Sequence, residues 1–140
     1  MPCSPVHTEL LDSDTVTRFV NNRDCIKKNT RVCFSPNAFI FPKSDKALSL
    51  VHIDGLSAKD IWNLGDTKVF ANVKLSAKEK FKTVAKADMI VGELKKVFIN
   101  DGFRIERDNC GFDRHVTALS NMEKQQFATK LAINCLPKMR

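Results

Sequence analysis

The sequence predicts an α+β domain, a small and mostly antiparallel sheet with two to four helices packed on one face. Three observations carry this. Short β-branched and aromatic runs are separated by turn residues. Other stretches combine apolar residues at three- and four-residue steps with helix-start chemistry. The order of the two kinds is too irregular for alternating strand–helix units. The 140 residues make a single domain. Residues 1–13, with Pro2 and Pro5, are expected to be a loose N-terminal segment, and 14–140 the folded body. A chain of this length buries about two thirds of its unfolded surface, so the core needs neither disulfides nor metal.

Thr15–Val20 is β-branched and aromatic and suits a strand, closed by a turn at Asn21–Asp24. Arg31–Phe34 and Ala38–Phe41 are the next candidates, and Pro36 and Pro42 make them edge strands or extended loop segments. Leu48–Ile53, a nearly continuous aliphatic run, is the expected central strand. A short helix follows. Ser57 is its N-cap, with Asp60 three residues on, Leu56 and Ile61 as a hydrophobic staple, and Gly65 as the stop. Trp62 is expected to pack over the sheet. Val69–Leu75 alternates and reads as a strand, with Phe70 the exception on its polar side.

The stretch Ser76–Asp101 carries the strongest helical spacing: Val84, Ala87, Val91, Leu94 and Phe98 fall on one stripe. Ser76 and Glu79 form a capping-box pattern, and Gly102 is suited to a left-handed end. Gly92 and Asp88 leave two readings open, one long helix or two helices meeting near Lys86–Asp88. Phe103–Arg107 and Val116–Leu119 then read as an antiparallel pair. Ser120 and Glu123 open a last helix with Phe127, Leu131 and Cys135 on its core side, ended by Pro137.

The net charge of +7 favours acidic partners, namely nucleic acid, an anionic surface or an acidic protein. No apolar run is long enough to span a bilayer, so no membrane role is expected. The N-terminus lacks a basic region followed by an apolar core, which argues against a signal peptide. Together with five cysteines and no C-x-x-C pair, this points to reduced thiols and a cytoplasmic setting. Each Cys reads as a small buried hydrophobe. The Cys and His spacings supply no zinc pattern, and no metal or cofactor is called for. Phosphate-loop, dinucleotide, zinc-protease and serine-hydrolase signatures are all absent.

Three constellations remain. Asp113-Arg114-His115 joins a guanidinium able to clamp a phosphate to an imidazole able to move a proton, and Arg104 and Arg107 on the partner strand would add to the same patch. His52 and Asp54 point to one side of a strand, as two metal ligands or an acid–base pair would, ahead of a helix start that favours an anion. Lys78, Lys82, Lys86 and Lys96 would line one helix back, interrupted by Glu93, and Lys74, Lys78, Lys82 and Lys86, joined by Lys27, Lys28 and Arg31, would form a basic set for a phosphate backbone. Phe81 is the one aromatic placed to stack on bases there, and Tyr is absent, which points to backbone contact rather than base stacking.

Asp54-Gly55-Leu56-Ser57, Ile61-Trp62-Asn63-Leu64-Gly65 and Arg114-His115 before a final amphipathic helix together resemble small uncharacterised bacterial proteins. The resemblance implies a bacterial cytosolic setting and carries no activity. The residues themselves favour a binding protein over an enzyme, contacting nucleic acid first and an acidic protein second through the Lys-rich helix face. The alternative is a nuclease or phosphate-ester hydrolase using His115 and Arg114 with His52 and Asp54. A third reading is a subunit or inhibitor of a larger complex, docking through Trp62, Phe39 and Phe41.

Overall fold

The computed structural model describes residues 10–28, 32–41, 47–75, 77–108 and 112–140. Expectations for the remaining residues, including the Ser76 cap, the Pro2–Pro5 segment and Arg31, lie outside this set. The elements run β1 (Thr15–Val20), β2 (Ile26–Lys28), β3 (Val32–Phe34), β4 (Leu48–His52), α1 (Ala58–Leu64), β5 (Ala85–Ile90), α2 (Val91–Val97), β6 (Arg104–Arg107), β7 (His115–Leu119), α3 (Lys124–Asn134) and β8 (Lys138–Met139). Six strands form one sheet in the order β6-β7-β4-β1-β5-β8, and β2 pairs with β3 apart from it. Every pairing is antiparallel, as an α+β fold requires.

Side chains alternate across each strand, so each sheet face has its own core. On one face Val16, Val20, Leu48, Leu50, Ala85, Ala87 and Val116 meet α2 and α3 through Val91, Leu94, Phe127 and Leu131. Phe98 anchors that side, edge-on to Phe127 with centroids 5.1 Å apart and stacked on Phe103 at 5.3 Å. On the other face Phe19, Val51 and Ile53 are covered by Ile61, with Trp62 and Leu64 at its margin. The helices therefore occupy both faces. A sheet whose odd and even positions are both apolar cannot leave one side to water.

The helix expected over Ser76–Asp101 does not form as such. Ala85–Ile90 is a strand, paired along its whole length with β1 from Thr15↔Ile90 to Val20↔Ala85. Only Val91–Val97 is helical. The five stripe residues Val84, Ala87, Val91, Leu94 and Phe98 are nonetheless all buried. The burial assignment holds while the period differs, because β1 needs a second partner and a two-residue alternation of Ala85, Ala87 and Met89 serves it. Lys86 and Asp88 disguised that alternation. Both point to the far face, where Lys86 Nζ lies 2.6 Å from Asp88 Oδ2 and Lys138 Nζ lies 2.9 Å from the same oxygen.

Val69–Leu75 is not a strand either. Gly65 does not stop α1, because the chain continues through a π turn at Gly65–Val69. A Cβ at Gly65 would stand 2.4 Å from Thr83 Oγ1, so glycine serves close approach here rather than a left-handed turn. The place beside β5 that Val69–Leu75 would need is taken by β8. Ala38–Phe41 is likewise not extended throughout, as Pro36–Phe39 forms a 3-10 turn capped by Ser35. Glu123, not Ser120, caps α3, accepting from Gln125 N and Gln126 N.

One irregularity positions the candidate site. Pairing between β1 and β4 is registered only at Val16↔His52 and Thr17↔Val51. Beyond Thr17 the strands separate, and Arg18 spans the gap. Its Nε donates to Ala38 O at 3.2 Å, Nη1 to Ser49 O at 3.0 Å and Nη2 to Ile40 O at 3.4 Å. The guanidinium supplies donors where a ladder would have supplied amides.

Two expectations follow. Arg18→Met leaves those carbonyls without their charged donor and costs about 2–3 kcal/mol in urea unfolding. At Asp88, burial pulls the carboxyl pKa up, but hydrogen bonds from Lys86, Lys138 and Thr17 and the Lys86 charge outweigh it and hold the group below the usual carboxylate range. A depressed folded-state pKa stabilises the protein above the unfolded pKa, and this contribution is lost as pH falls through the folded value. Asp88→Ala strands the buried Lys86 charge and costs about 3 kcal/mol at neutral pH. The difference from wild type shrinks on acidification through the carboxylate range, as read from urea melts at several pH values.

Candidate functional site

The separation of β1 from β4 opens a cleft of about 490 Å³. Its floor is Thr17, Arg18 and Phe19 of β1 and Ser49, Leu50 and Val51 of β4. The π turn after α1 brings Lys68, Val69 and Phe70 to one side, the 3-10 turn brings Asn37 and Ala38 to another, and Phe112 and His115 close the end. The volume falls in the range of small-molecule sites. Arg18, Lys68 and His115 are its ionisable lining residues apart from Cys25, and no carboxylate is among the described residues that line it.

His115 opens β7 opposite Val51. Its Nδ1 meets Asp108 Oδ1 at 2.5 Å, and the ring stands edge-on to Phe112 with centroids 5.7 Å apart. Both members of the pair are largely buried, their side chains 10 % and 15 % exposed. A carboxylate on Nδ1 fixes the ring and leaves Nε2 as the nitrogen for the cleft. Cys25 also lines the cleft. Burial first, and then Asp24, raise its pKa against the opposing charge of Arg18, so it stays a thiol rather than an activated thiolate. Cys135 is buried with its pKa pushed up to about 12, and it serves as core.

The residues singled out from sequence separate. His115 is in the cleft; Arg114, His52 and Asp54 are not among its lining residues. Arg114 is no anion clamp. Its Nη1 donates to His52 O at 3.1 Å and to Asp54 O at 2.9 Å, bracing the chain after β4. His52 and Asp54 do meet, Nε2 to Oδ2 at 2.9 Å, and Asp14 Oδ1 lies 3.7 Å from the same nitrogen.

The lysine stripe does not exist as one face. Lys86 is a buried member of β5, and Lys82 Nζ donates to Ala71 O at 3.1 Å. Lys74 and Lys78 are exposed on the irregular segment before β5. Lys27 and Lys28 belong to β2, outside the main sheet. Arg104 and Arg107 cannot share a patch, since three residues along a strand changes face. Arg107 Nη2 also donates to Asp113 O at 3.4 Å. Both arginines lie on β6, four strand positions from β5, or roughly 19 Å at the usual strand spacing. The apolar docking patch is absent too, with Phe39 and Phe41 buried and Trp62 lying beneath Arg140 and Lys86.

Sequence reading missed Asp108, Asp14, Arg18 and Lys68. A signal existed for the first two. Extending the β6–β7 register from Arg107↔Val116 sets Asp108 opposite His115, and extending β1–β4 from Val16↔His52 sets Asp14 opposite Asp54. Arg18 and Lys68 had no such signal, because the gap they face arises only when the strands diverge. No helix among the described residues is long and apolar enough to cross a membrane. Set beside known proteins, the chain matches no family model, no curated protein and no solved structure.

Proposed function

We propose that the cleft binds a small phosphate-bearing molecule with an aromatic or apolar group, and that His115 exchanges a proton with it as general acid or base. One observation carries this reading: His115, held by Asp108, stands in the wall of a cleft of about 490 Å³ that Arg18 and Lys68 also line and that no carboxylate lines among the described residues. Lys68, in no ion pair among the described residues, suits an anion, while Arg18 adds positive charge with its donors already held by carbonyls. Phe19, Phe70 and Phe112 suit the flat or apolar remainder of a ligand such as a nucleotide. Asp108 holds the His115 ring in place, so Nε2 is the proton-transferring atom and Asp108 a positioning residue. The reaction class is phosphate-ester hydrolysis: water forms the new P–O bond as the ester P–O bond breaks, and the leaving oxygen takes a proton.

The test is a panel of nucleoside mono- and diphosphates and aryl phosphates, followed by NMR shift mapping and by phosphate release. The expected ligands perturb Ser49, Lys68 and Phe112 amides. His115→Gln lowers turnover by about a hundredfold or more without a matching loss of binding, and Asp108→Asn lowers it less and alters its pH profile. Shifts away from the cleft, or turnover indifferent to His115→Gln, would overturn the reading.

A second reading, contact with nucleic acid or an acidic protein, is supported by residues 67–84. They hold five lysines and one carboxylate. Lys68, Lys74, Lys78 and Lys80 take no part in the ion pairs among the described residues. Phe81 is 46 % exposed nearby, with Arg140 Cζ 3.8 Å from its ring centroid. Replacing Lys74, Lys78 and Lys80 by Glu is expected to lower the salt needed for elution from heparin. For single-stranded DNA it should reduce the slope of log affinity against log salt by about 2. Elution at the wild-type salt concentration would count against this surface.

A further inference from the structure

We propose that Asp14, His52 and Asp54 form a site for one divalent transition-metal ion of the zinc kind. The three side chains offer one ligand atom each, all within 4.8 Å of one another. They lie at the end of the β1–β4 pair remote from the separation that makes the cleft. From Val16↔His52 the antiparallel register runs on through Ile53 N, which donates to Thr15 O at 3.1 Å. That continuation sets Asp14 directly across from Asp54, with His52 on the same face.

Two carboxylates opposite each other across a strand pair repel, and the arrangement is unfavourable unless positive charge lies between them. Arg114 does not supply it from this side, since its Nη1 is spent on the carbonyls of His52 and Asp54. His52 stands between them, and its Nε2 is buried without a hydrogen bond. Asp54 Oδ2 is 2.9 Å from that nitrogen but outside hydrogen-bond geometry, and it accepts instead from Thr15 N at 2.7 Å. Asp14 is oriented in the same way, its Oδ2 accepting from Leu11 N at 2.7 Å. Each carboxylate is thus fixed by a backbone amide while keeping lone pairs for a further partner. A buried imidazole nitrogen with no hydrogen bond, facing two amide-oriented carboxylates, offers the nitrogen and oxygen donors that zinc accepts, with a fourth position left open. Asp54, its side chain 41 % exposed, marks the solvent side and hence the place of that open position.

This site is separate from the His115 cleft and does not rest on the reading given for it. The test is calorimetric titration of the full chain with Zn²⁺ under reducing conditions, together with long-range ¹H–¹⁵N NMR of the histidine rings. One equivalent is expected to bind in the micromolar range and to shift the His52 Nε2 resonance while leaving His115 unchanged. Asp14→Asn and His52→Gln should each weaken binding tenfold or more, whereas His115→Gln should not. Since the ring-nitrogen shift is read on the wild-type protein, a variant that fails to fold does not remove the test. Absence of binding heat would overturn the proposal. Binding that survives His52→Gln, or that shifts only His115, would overturn it equally, by assigning the ion to thiols or to the other histidine.

Discussion

The guanidinium of Arg18 is the constraint on which the working part of the molecule depends. β1 and β4 are adjacent in the sheet, yet they keep registered pairing at only two positions. Two strands that part inside a sheet expose carbonyls that must find donors elsewhere. Arg18 reaches Ser49 on the neighbouring strand and Ala38 and Ile40 on the turn that overlies it. The gap between the strands thus has a charged donor for Ser49 O on its floor and for two carbonyls of the turn. Lysine could not do the same, because it has one point of attachment where the guanidinium offers a rigid fork.

Charge is handled in two different ways on the face that carries α1. Lys86 is buried and answered at once by Asp88, with Lys138 from β8 closing the group. Asp66 does similar work nearby. Burial raises its pKa, but hydrogen bonds from Arg140 and Thr83 hold it low. Arg140 Nη1 lies 2.7 Å from its Oδ2, which ties the π turn to the end of β8. Between these two anchors, Lys74, Lys78 and Lys80 are exposed on the surface. Part of the chain's excess positive charge thus sits in a segment held at both ends, rather than along a helix.

The two imidazole–carboxylate groups show how context separates similar parts. His115 has one carboxylate on Nδ1 and lies in the wall of a cleft that Arg18 and Lys68 also line. His52 has two carboxylates near Nε2 and no hydrogen bond on that nitrogen. The first arrangement suits a ring that passes a proton to an anionic partner. The second suits a ring that gives a lone pair to a cation. Both arise from cross-strand positions at the end of a ladder, where side chains are positioned by the sheet but still reach solvent.

The sequence by itself determined the fold class, β1, β4, α1 with its Ser57 cap, the β6–β7 hairpin and α3, because each rests on a local pattern of caps, turns and apolar spacing. It also marked Val84, Ala87, Val91, Leu94 and Phe98 as buried, though it set Lys86, which is buried, on the solvated side. Only the tertiary structure decided that Ala85–Ile90 is a strand, since alanine, lysine and aspartate in alternation show no strand preference until β1 offers a partner. The same holds for the candidate sites. His115, His52 and Asp54 could be picked out as chemical types, but their partners Asp108 and Asp14 are fixed by strand register. Arg18 and Lys68 line one cleft only because two strands diverge. Pairing between distant segments is not encoded within any one of them, and that is why the sites stayed hidden while much of the scaffold was legible.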